Sequence, residues 1–327
     1  MTDKYVIGYI FIFAITFITT FLLEKALIPK LSAYAKQPIY EEGPKWHISK
    51  KGTPTMGGIA FLVAIALSLL TSVALLAGDG DPDAAVSVAI TLLYAVFNAF
   101  IGVVDDVTKL KRKQNGGLTP KQKLFLQLLC AIAFVAARKY LLGDTTAIYF
   151  SFGSVDLGFF YYPLAITVLL GTVNCANLTD GIDGLASSVA FAISLSLFYI
   201  SFALSKDTAF IASAMAGGAL GFIVYNIHPA RIFMGDTGSL FLGALAASAV
   251  FSLSNPILII AIGGVYVVEG ISVIVQVICY KLTGKRILKM APIHHHLERC
   301  GFDENKICII AMIFTFVSSA PAFLSYL

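Results

Sequence analysis

The chain has 327 residues, of which 58% are hydrophobic and only 13% charged, and it carries a formal net charge of +4. Soluble domains hold about twice that charged fraction, so the composition excludes a soluble globular protein and predicts an integral membrane protein. The five cysteines show no CxxC and no paired spacing, which argues against a disulfide framework, and no nucleic-acid partner is expected.

Apolar runs of the roughly 17–25 residues that cross a bilayer as a helix occur at 5–27, 57–77, 84–104, 121–142, 160–175, 184–204, 208–225, 237–253, 257–281 and 305–326. The predicted fold class is therefore all-α, a single polytopic domain (1–327) with about ten transmembrane helices; the fifth and eighth runs are short. The first run has no small-residue cleavage site and is too long for a signal-peptide core, so it reads as a retained helix. Between the fourth and fifth runs, TAIYFSFGSVDLG (Thr146 to Gly158) alternates like a small external β-hairpin. If the loop after the first helix is cytoplasmic, nineteen of the 23 basic residues fall on cytoplasmic ends. The positive-inside rule then places both termini on the outer face.

With that orientation, the unusual polar residues gather in five cytoplasmic segments, 28–56, 105–120, 174–184, 226–237 and 282–304, the pattern of one composite site. GTPTMGGIA (Gly52 to Ala60), after Lys50 and Lys51, could cradle a phosphate or could ease helix packing; spacing leaves both open. AVFNAFIGVVDDVTKL (Ala95 to Leu110) sets Asp105 and Asp106 side by side at the end of an apolar run. At ~4 Å and an effective dielectric of about 20, two such charges repel by about 4 kcal/mol, and a helix C-terminus itself prefers cations. A solvated helix end is the plainer reading. A compensating metal, helped by Lys109, Lys111, Arg112 and Lys113, is the one favoured, because ionisable residues at a membrane edge are functional by default.

In NCANLTDGIDGLA (Asn174 to Ala186), Asn174, Asn177, Asp180 and Asp183 recur every third position. Such a row drifts about 60° per step around a helix, and Gly181 and Gly184 predict a break, with the next helix starting near Gly184. Four carboxamides and carboxylates exceed what capping needs. FMGDTGSL places Asp236 before an apolar helix, as a plain N-cap or as part of a site where helix N-terminal amides and Mg²⁺ meet phosphate. In APIHHHLE (Ala291 to Glu298), three consecutive histidines cannot all face one ion from a regular element, and zinc spacing is not met. Phosphate binding or proton transfer suits them better. His47 and His228 taken alone mean little.

Together, GTPTMGGI, GVVDDVTKLKRKQNGGL, NLTDGIDGLA, FMGDTGSL and APIHHHLE resemble, in the same order from about Lys45 to Glu298, the polyprenyl-phosphate N-acetylhexosamine-1-phosphate transferase superfamily. Within it they are most similar to the phospho-N-acetylmuramoyl-pentapeptide transferases; GTPTMGG and PIHHHLE point to that branch. The resemblance implies transfer of phospho-MurNAc-pentapeptide from UDP-MurNAc-pentapeptide to undecaprenyl phosphate, giving lipid I and UMP with Mg²⁺. It also implies a homodimer in the bacterial inner membrane with its active site facing the cytoplasm. Carried onto this sequence, it makes Asp105, Asp106, Asp236 and His295 catalytic, with the three aspartates at the metal; Asp236 is assigned to Mg²⁺ and Asp105 to the lipid phosphate. Asn177, Asp180 and Phe233 would hold the uridine, with Phe233 stacking on uracil. Lys50, Thr55, Asn226, Gln276, His295 and His296 would line the sugar and diphosphate region, Lys109 and Lys113 would meet phosphate, and Asn174 and His294 complete the substrate-binding set.

Three rivals are weaker. A nucleotide or anion transporter would bury polar residues near the midplane and often show internal repeats, and neither pattern is found. An intramembrane aromatic prenyltransferase also uses aspartates with Mg²⁺ but leaves PIHHHLE and GTPTMGG unexplained. A sister enzyme using UDP-GlcNAc is the nearest competitor. For the mechanism, a phosphate monoester with a second pKa near 6 is already largely ionised at neutral pH. Direct attack by the lipid phosphate is therefore favoured over a covalent aspartyl intermediate.

Overall fold

The computed structural model describes residues 3–35, 50, 52–112, 116–150 and 153–324. Within these, the chain folds almost entirely into helices: α1 (Asp3–Tyr34), α2 (Gly58–Gly78), α3 (Pro82–Arg112), α4 (Pro120–Ala137), α5 (Tyr161–Thr179), α6 (Leu185–Ser201), α7 (Lys206–Asn226), α8 (Gly235–Ala249), α9 (Leu258–Ile262), α10 (Gly264–Thr283), α11 (Ile293–Arg299) and α12 (Glu304–Leu324). The one sheet among the described residues is a hairpin of β1 (Ala147–Phe150) and β2 (Gly153–Asp156), antiparallel with Ala147 opposite Asp156. This is the hairpin that the alternation predicts. Asn255 Nδ2 donates to Tyr149 O at 2.9 Å and ties it to the chain after α8.

Nine of the described helices are long and apolar enough to cross a membrane. The difference from ten has a local cause: the sixth predicted run contracts to the 17 residues of α6, which starts after Gly184 (φ 80°), where the break is expected, and ends at Ser201, three residues early. The ninth run is interrupted at Gly263, which separates α9 from α10. Helices α1 and α3 overrun their predicted ends, and α3 continues to Arg112. Asp105 and Asp106 therefore lie inside a helix, almost two turns before its end, rather than at its terminus.

The centre of the bundle is built from the two helices richest in small residues. IASAMAGGALG of α7 and GALAASA of α8 are buried along nearly their whole length, packing against α1 and α6 and against α3 and α5 respectively. Small side chains let backbones approach closely, and in lipid that packing replaces the hydrophobic drive available in water. The consequence for function is positional: the C-terminal ends of α3, α5 and α7 and the N-terminal ends of α4 and α8 meet at one end of the bundle.

Candidate active site

Three aspartates form the centre of that end. Asp105, Asp106 and Asp236 each offer a carboxylate oxygen within 4.8 Å of the others, and the first two are buried. Asp106 faces the start of α8, where one oxygen accepts from the Asp236 backbone N–H (3.1 Å) and the other from Thr237 N (3.0 Å) and Thr237 Oγ1 (2.8 Å). A carboxylate at a helix N-terminus satisfies orphan amides and complements the positive end of the dipole. Asp106 thus locks the turn that carries Asp236. The lock needs Gly235: its φ is +71°, and a Cβ there would lie 2.6 Å from Asp106 Oδ2. The plain N-cap reading of Asp236 is not what is seen; Asp236 sits in the first turn of α8, and the cap comes from α3.

Asp105 accepts from Leu118 N at 2.7 Å and pairs with Lys109 Nζ at 2.6 Å. Lys109 also reaches Asp236 Oδ2 (3.2 Å), which Lys123 contacts at 2.6 Å. Lys123 is held in place because Thr119 and Gln122 form a reciprocal capping box at the start of α4. Asn177 closes the group, donating to Asp236 Oδ1 (3.1 Å) and Ser239 Oγ (2.8 Å) while accepting from Lys123 (3.2 Å). Among the described residues, two ammonium groups pair with Asp105 and Asp236 while Asp106 is held by α8 amides, so three carboxylates face two lysines in a largely buried place. Oxygen donors in that number and charge suit Mg²⁺, which binds through one or two carboxylates plus substrate phosphates.

Asp180 ends α5 beside this group. Burial, with the negative charges of Asp236 and Asp106 nearby, pushes its carboxyl up to about 8. Asp183, three residues on, belongs to a second cluster. Its carboxylate pairs with Lys50 (2.7 Å) and with His228 Nδ1 (2.9 Å) and accepts from Ala230 N (3.0 Å). Lys50 bridges in turn to Glu304 at 2.7 Å. A cavity of about 270 Å³ opens alongside, lined by His228, Glu298, Arg299, Phe302, Asp303 and Glu304.

The other sequence-predicted residues divide. Phe233 and Thr55 lie where two motifs knit together: Phe233 N donates to Pro54 O (2.8 Å), and Gly57 and Gly58 donate to Phe233 O and Met234 O. Gly57 and Gly58 thereby take the packing role, since a Cβ on Gly58 would meet Gly238 Cα at 2.4 Å, whereas Gly52 has open space around it. Asn174 turns away to Gln127 (2.9 Å) and Leu170 O (2.8 Å). Asn226 is buried and bonds Gly184 N, Ser187 Oγ and Ile232 O. Gln276 straps the chain after α10, accepting from Ile287 N and Leu288 N. In the histidine run, His294 Nδ1 lies 3.0 Å from Glu269, His295 Nδ1 lies 2.6 Å from Glu298, and His296 Nδ1 accepts from Lys289 N. Lys113 and His47 lie outside the described residues.

Comparison with known proteins shows the family of the chain. A family model described as glycosyl transferase family 4 matches residues 86–254, and the phospho-N-acetylmuramoyl-pentapeptide-transferase signature 1 matches residues 50–62. The chain is 42% identical over 316 residues to the phospho-N-acetylmuramoyl-pentapeptide-transferase of Clostridium kluyveri, covering 95% of this chain and 97% of that one. The relative of the same name from Clostridium perfringens is 42% identical over 94% of each chain, and that of Caldicellulosiruptor bescii 40% identical over 92% of each. The chain belongs to the phospho-N-acetylmuramoyl-pentapeptide-transferase family. It is a transferase.

Sequence reasoning missed several residues of the site. Lys123 had a usable signal, because lysines in the first turn of a helix run against its dipole and need an acidic partner. Glu269 had another, as an ionisable residue inside the apolar run VYVVEGISVIV. Thr237, Ser239 and Glu304 had none beyond proximity to motifs.

Proposed function

We propose that this transferase moves phospho-MurNAc-pentapeptide from UDP-MurNAc-pentapeptide to undecaprenyl phosphate, yielding lipid I and UMP in a Mg²⁺-dependent reaction at the cytoplasmic face of a bacterial inner membrane. The observation that carries the reading is the group of three aspartates sharing Lys109 and Lys123 at the helix ends, within a chain of this family. Asp236 and Asp105 are the residues that would hold Mg²⁺, with Asp106 fixing the turn between them; bound there, the ion would neutralise phosphate charge. Lys109 and Lys123 are placed to meet phosphate oxygens, and positioning and charge neutralisation are the protein's main contributions to phosphoryl transfer. Asp105 faces the lipid phosphate, which attacks the β-phosphate directly with UMP leaving. Asn177, Asp180 and Phe233 hold the uridine, and Lys50, Thr55, His295 and His296 border the sugar and diphosphate. A homodimer is the proposed assembly.

The match of signature 1 to residues 50–62 favours the muramoyl donor over UDP-GlcNAc. The test offers purified protein undecaprenyl phosphate with either nucleotide sugar, in Mg²⁺ or EDTA, and measures UMP. Release with the muramoyl donor in Mg²⁺ alone is expected; turnover of UDP-GlcNAc alone would overturn the donor assignment. A phospho-sugar trapped on Asp105 without lipid acceptor would overturn direct attack.

A further inference from the structure

Glu269 lies a turn and a half into α10, inside a candidate membrane span, and is 2% exposed. An acid there is expensive and needs a reason. Gly270 beside it packs on α5 so closely that a Cβ would sit 2.5 Å from Cys175 Sγ, so the segment is sealed from lipid on that side. The carboxylate contacts the ring of His294, with Oε2 3.0 Å from Nδ1, and His294 is itself 1% exposed. The other ring nitrogen, Nε2, is buried with no hydrogen-bond partner among the described residues. It is aimed at the turn between Asp180 and Asp183: a Cβ on Gly181 would lie 2.2 Å from it.

An ionised carboxylate only accepts hydrogen bonds, so the ring nitrogen facing it must carry the proton, and a neutral ring then leaves the other nitrogen as an acceptor. We propose that Glu269 is a positioning residue that holds His294 with Nδ1 protonated and Nε2 turned to the Asp180–Asp183 loop, as acceptor for a hydroxyl or amide N–H of the nucleotide-sugar donor. A carboxylate behind an imidazole fixes tautomer and ring orientation in the same way at metal sites. The adjacent ring repeats the device, since His295 Nδ1 faces Glu298. The proposal rests on the donor-binding role proposed above for this loop.

The test separates tautomer from turnover. Full-length protein labelled with ¹⁵N-histidine is studied in detergent micelles at pH 8 by long-range ¹H–¹⁵N spectra, with His294→Asn assigning the signals. A protonated Nδ1 with an unprotonated Nε2 is expected for His294. Glu269→Leu should release the ring to the Nε2–H form, whereas Glu269→Gln, whose carbonyl still accepts, should keep it. With UDP-MurNAc-pentapeptide and undecaprenyl phosphate, kcat should fall about 10–100-fold in Glu269→Leu and recover largely in Glu269→Gln, with KM for the lipid unchanged. An Nε2–H or doubly protonated His294 in the wild type overturns the proposal. Loss of the tautomer in Glu269→Leu with kcat unchanged overturns it too, reducing the pair to a staple between α10 and α11. If the tautomer is present but the muramoyl donor is not turned over, the reading of the function fails and Glu269 keeps its hold on His294.

Discussion

Both ends of α3 are crowded with aspartates, about 35 Å apart at 1.5 Å per residue, and they are neutralised in opposite ways. At the N-terminal end three acids each have their own cation: Lys4 pairs with Asp79, Lys206 with Asp81 at 2.9 Å, and Arg138 with Asp144 at 2.5 Å. Asp83 lies in the first turn of α3, where the helix dipole favours an acid. At the C-terminal end three aspartates share Lys109 and Lys123, and Asp180 stands close by. One-to-one pairing closes the electrostatic account locally and asks for nothing more. An excess of buried carboxylates does not, and its remaining charge is what a cation or a phosphate-bearing substrate with its metal would complete.

That contrast is broken most directly at Asp236. Asp236→Asn removes one acid, leaves two lysines facing two carboxylates, and is expected to cut UMP release at least ~10²-fold, as EDTA should for the unaltered protein. Asp81→Asn should leave turnover within about twofold, because it weakens only a partly exposed pair and keeps an oxygen to accept from Ala84 N. Full activity in Asp236→Asn would remove the basis for a metal at this end.

Asp180 offers a pH test of the same excess. Its folded-state pKa, raised by burial and by Asp236 and Asp106 to about 8, exceeds that of an unfolded carboxyl, about 4. Between those values the folded chain keeps a proton that the unfolded chain has lost. The stabilisation is complete below about pH 4, falls as pH rises through that window, and is gone above about 8. In EDTA the thermal midpoint should therefore drop from pH 6 to pH 8.5 by more in the unaltered protein than in Asp180→Asn. Added Mg²⁺ should shrink the difference by offsetting the negative field. Equal pH slopes in the two proteins would show that Asp180 is not held in its protonated form.

The same contrast explains what the sequence could show. Hydropathy alone exposes the membrane class and most spans, because transfer of apolar residues dominates each helix independently. Where it misleads at the break before α10, the deciding factor is a glycine at a helix boundary, Gly263. That Asp105, Asp106, Asp236 and Asn177 come together could be expected because each sits in a run of polar residues against an apolar background. Asn226, Asn174 and Gln276 sit in equally suggestive places, yet their polar atoms are consumed by backbone and neighbouring side chains. Only tertiary packing distinguishes a polar group that closes a loop from one that, like Asn177, bonds the aspartate cluster.

At the paired end, Arg138 is the buried member. Its side chain is 6% exposed, and besides Asp144 it donates to Ser87 Oγ (3.0 Å) and Ser252 Oγ (3.2 Å), joining α3, α4 and the segment after α8. Arg138→Ala leaves the Asp144 carboxylate without its cation and removes one donor from Ser87 and Ser252, which still bond each other at 2.8 Å. A loss of about 2–4 kcal/mol is expected. The folded fraction should keep its specific activity. A loss of turnover at unchanged stability would mean that the two ends are coupled, contrary to the division drawn above.

Lys206 should matter least. Its Nζ lies 2.9 Å from Asp81 and 4.7 Å from the Tyr5 ring centroid, but both members of the ion pair are about a third exposed. Water competes for each charge, and exposed pairs and cation–π contacts of this kind are worth about 1 kcal/mol or less. Lys206→Ala should lower the thermal midpoint only slightly, by an amount that shrinks further in high salt, where exposed pairs are screened. A salt-insensitive loss approaching that of Arg138→Ala would show that the acidic turn before α3 is as tightly held as the aspartates at its other end. Charge excess would then no longer separate the two.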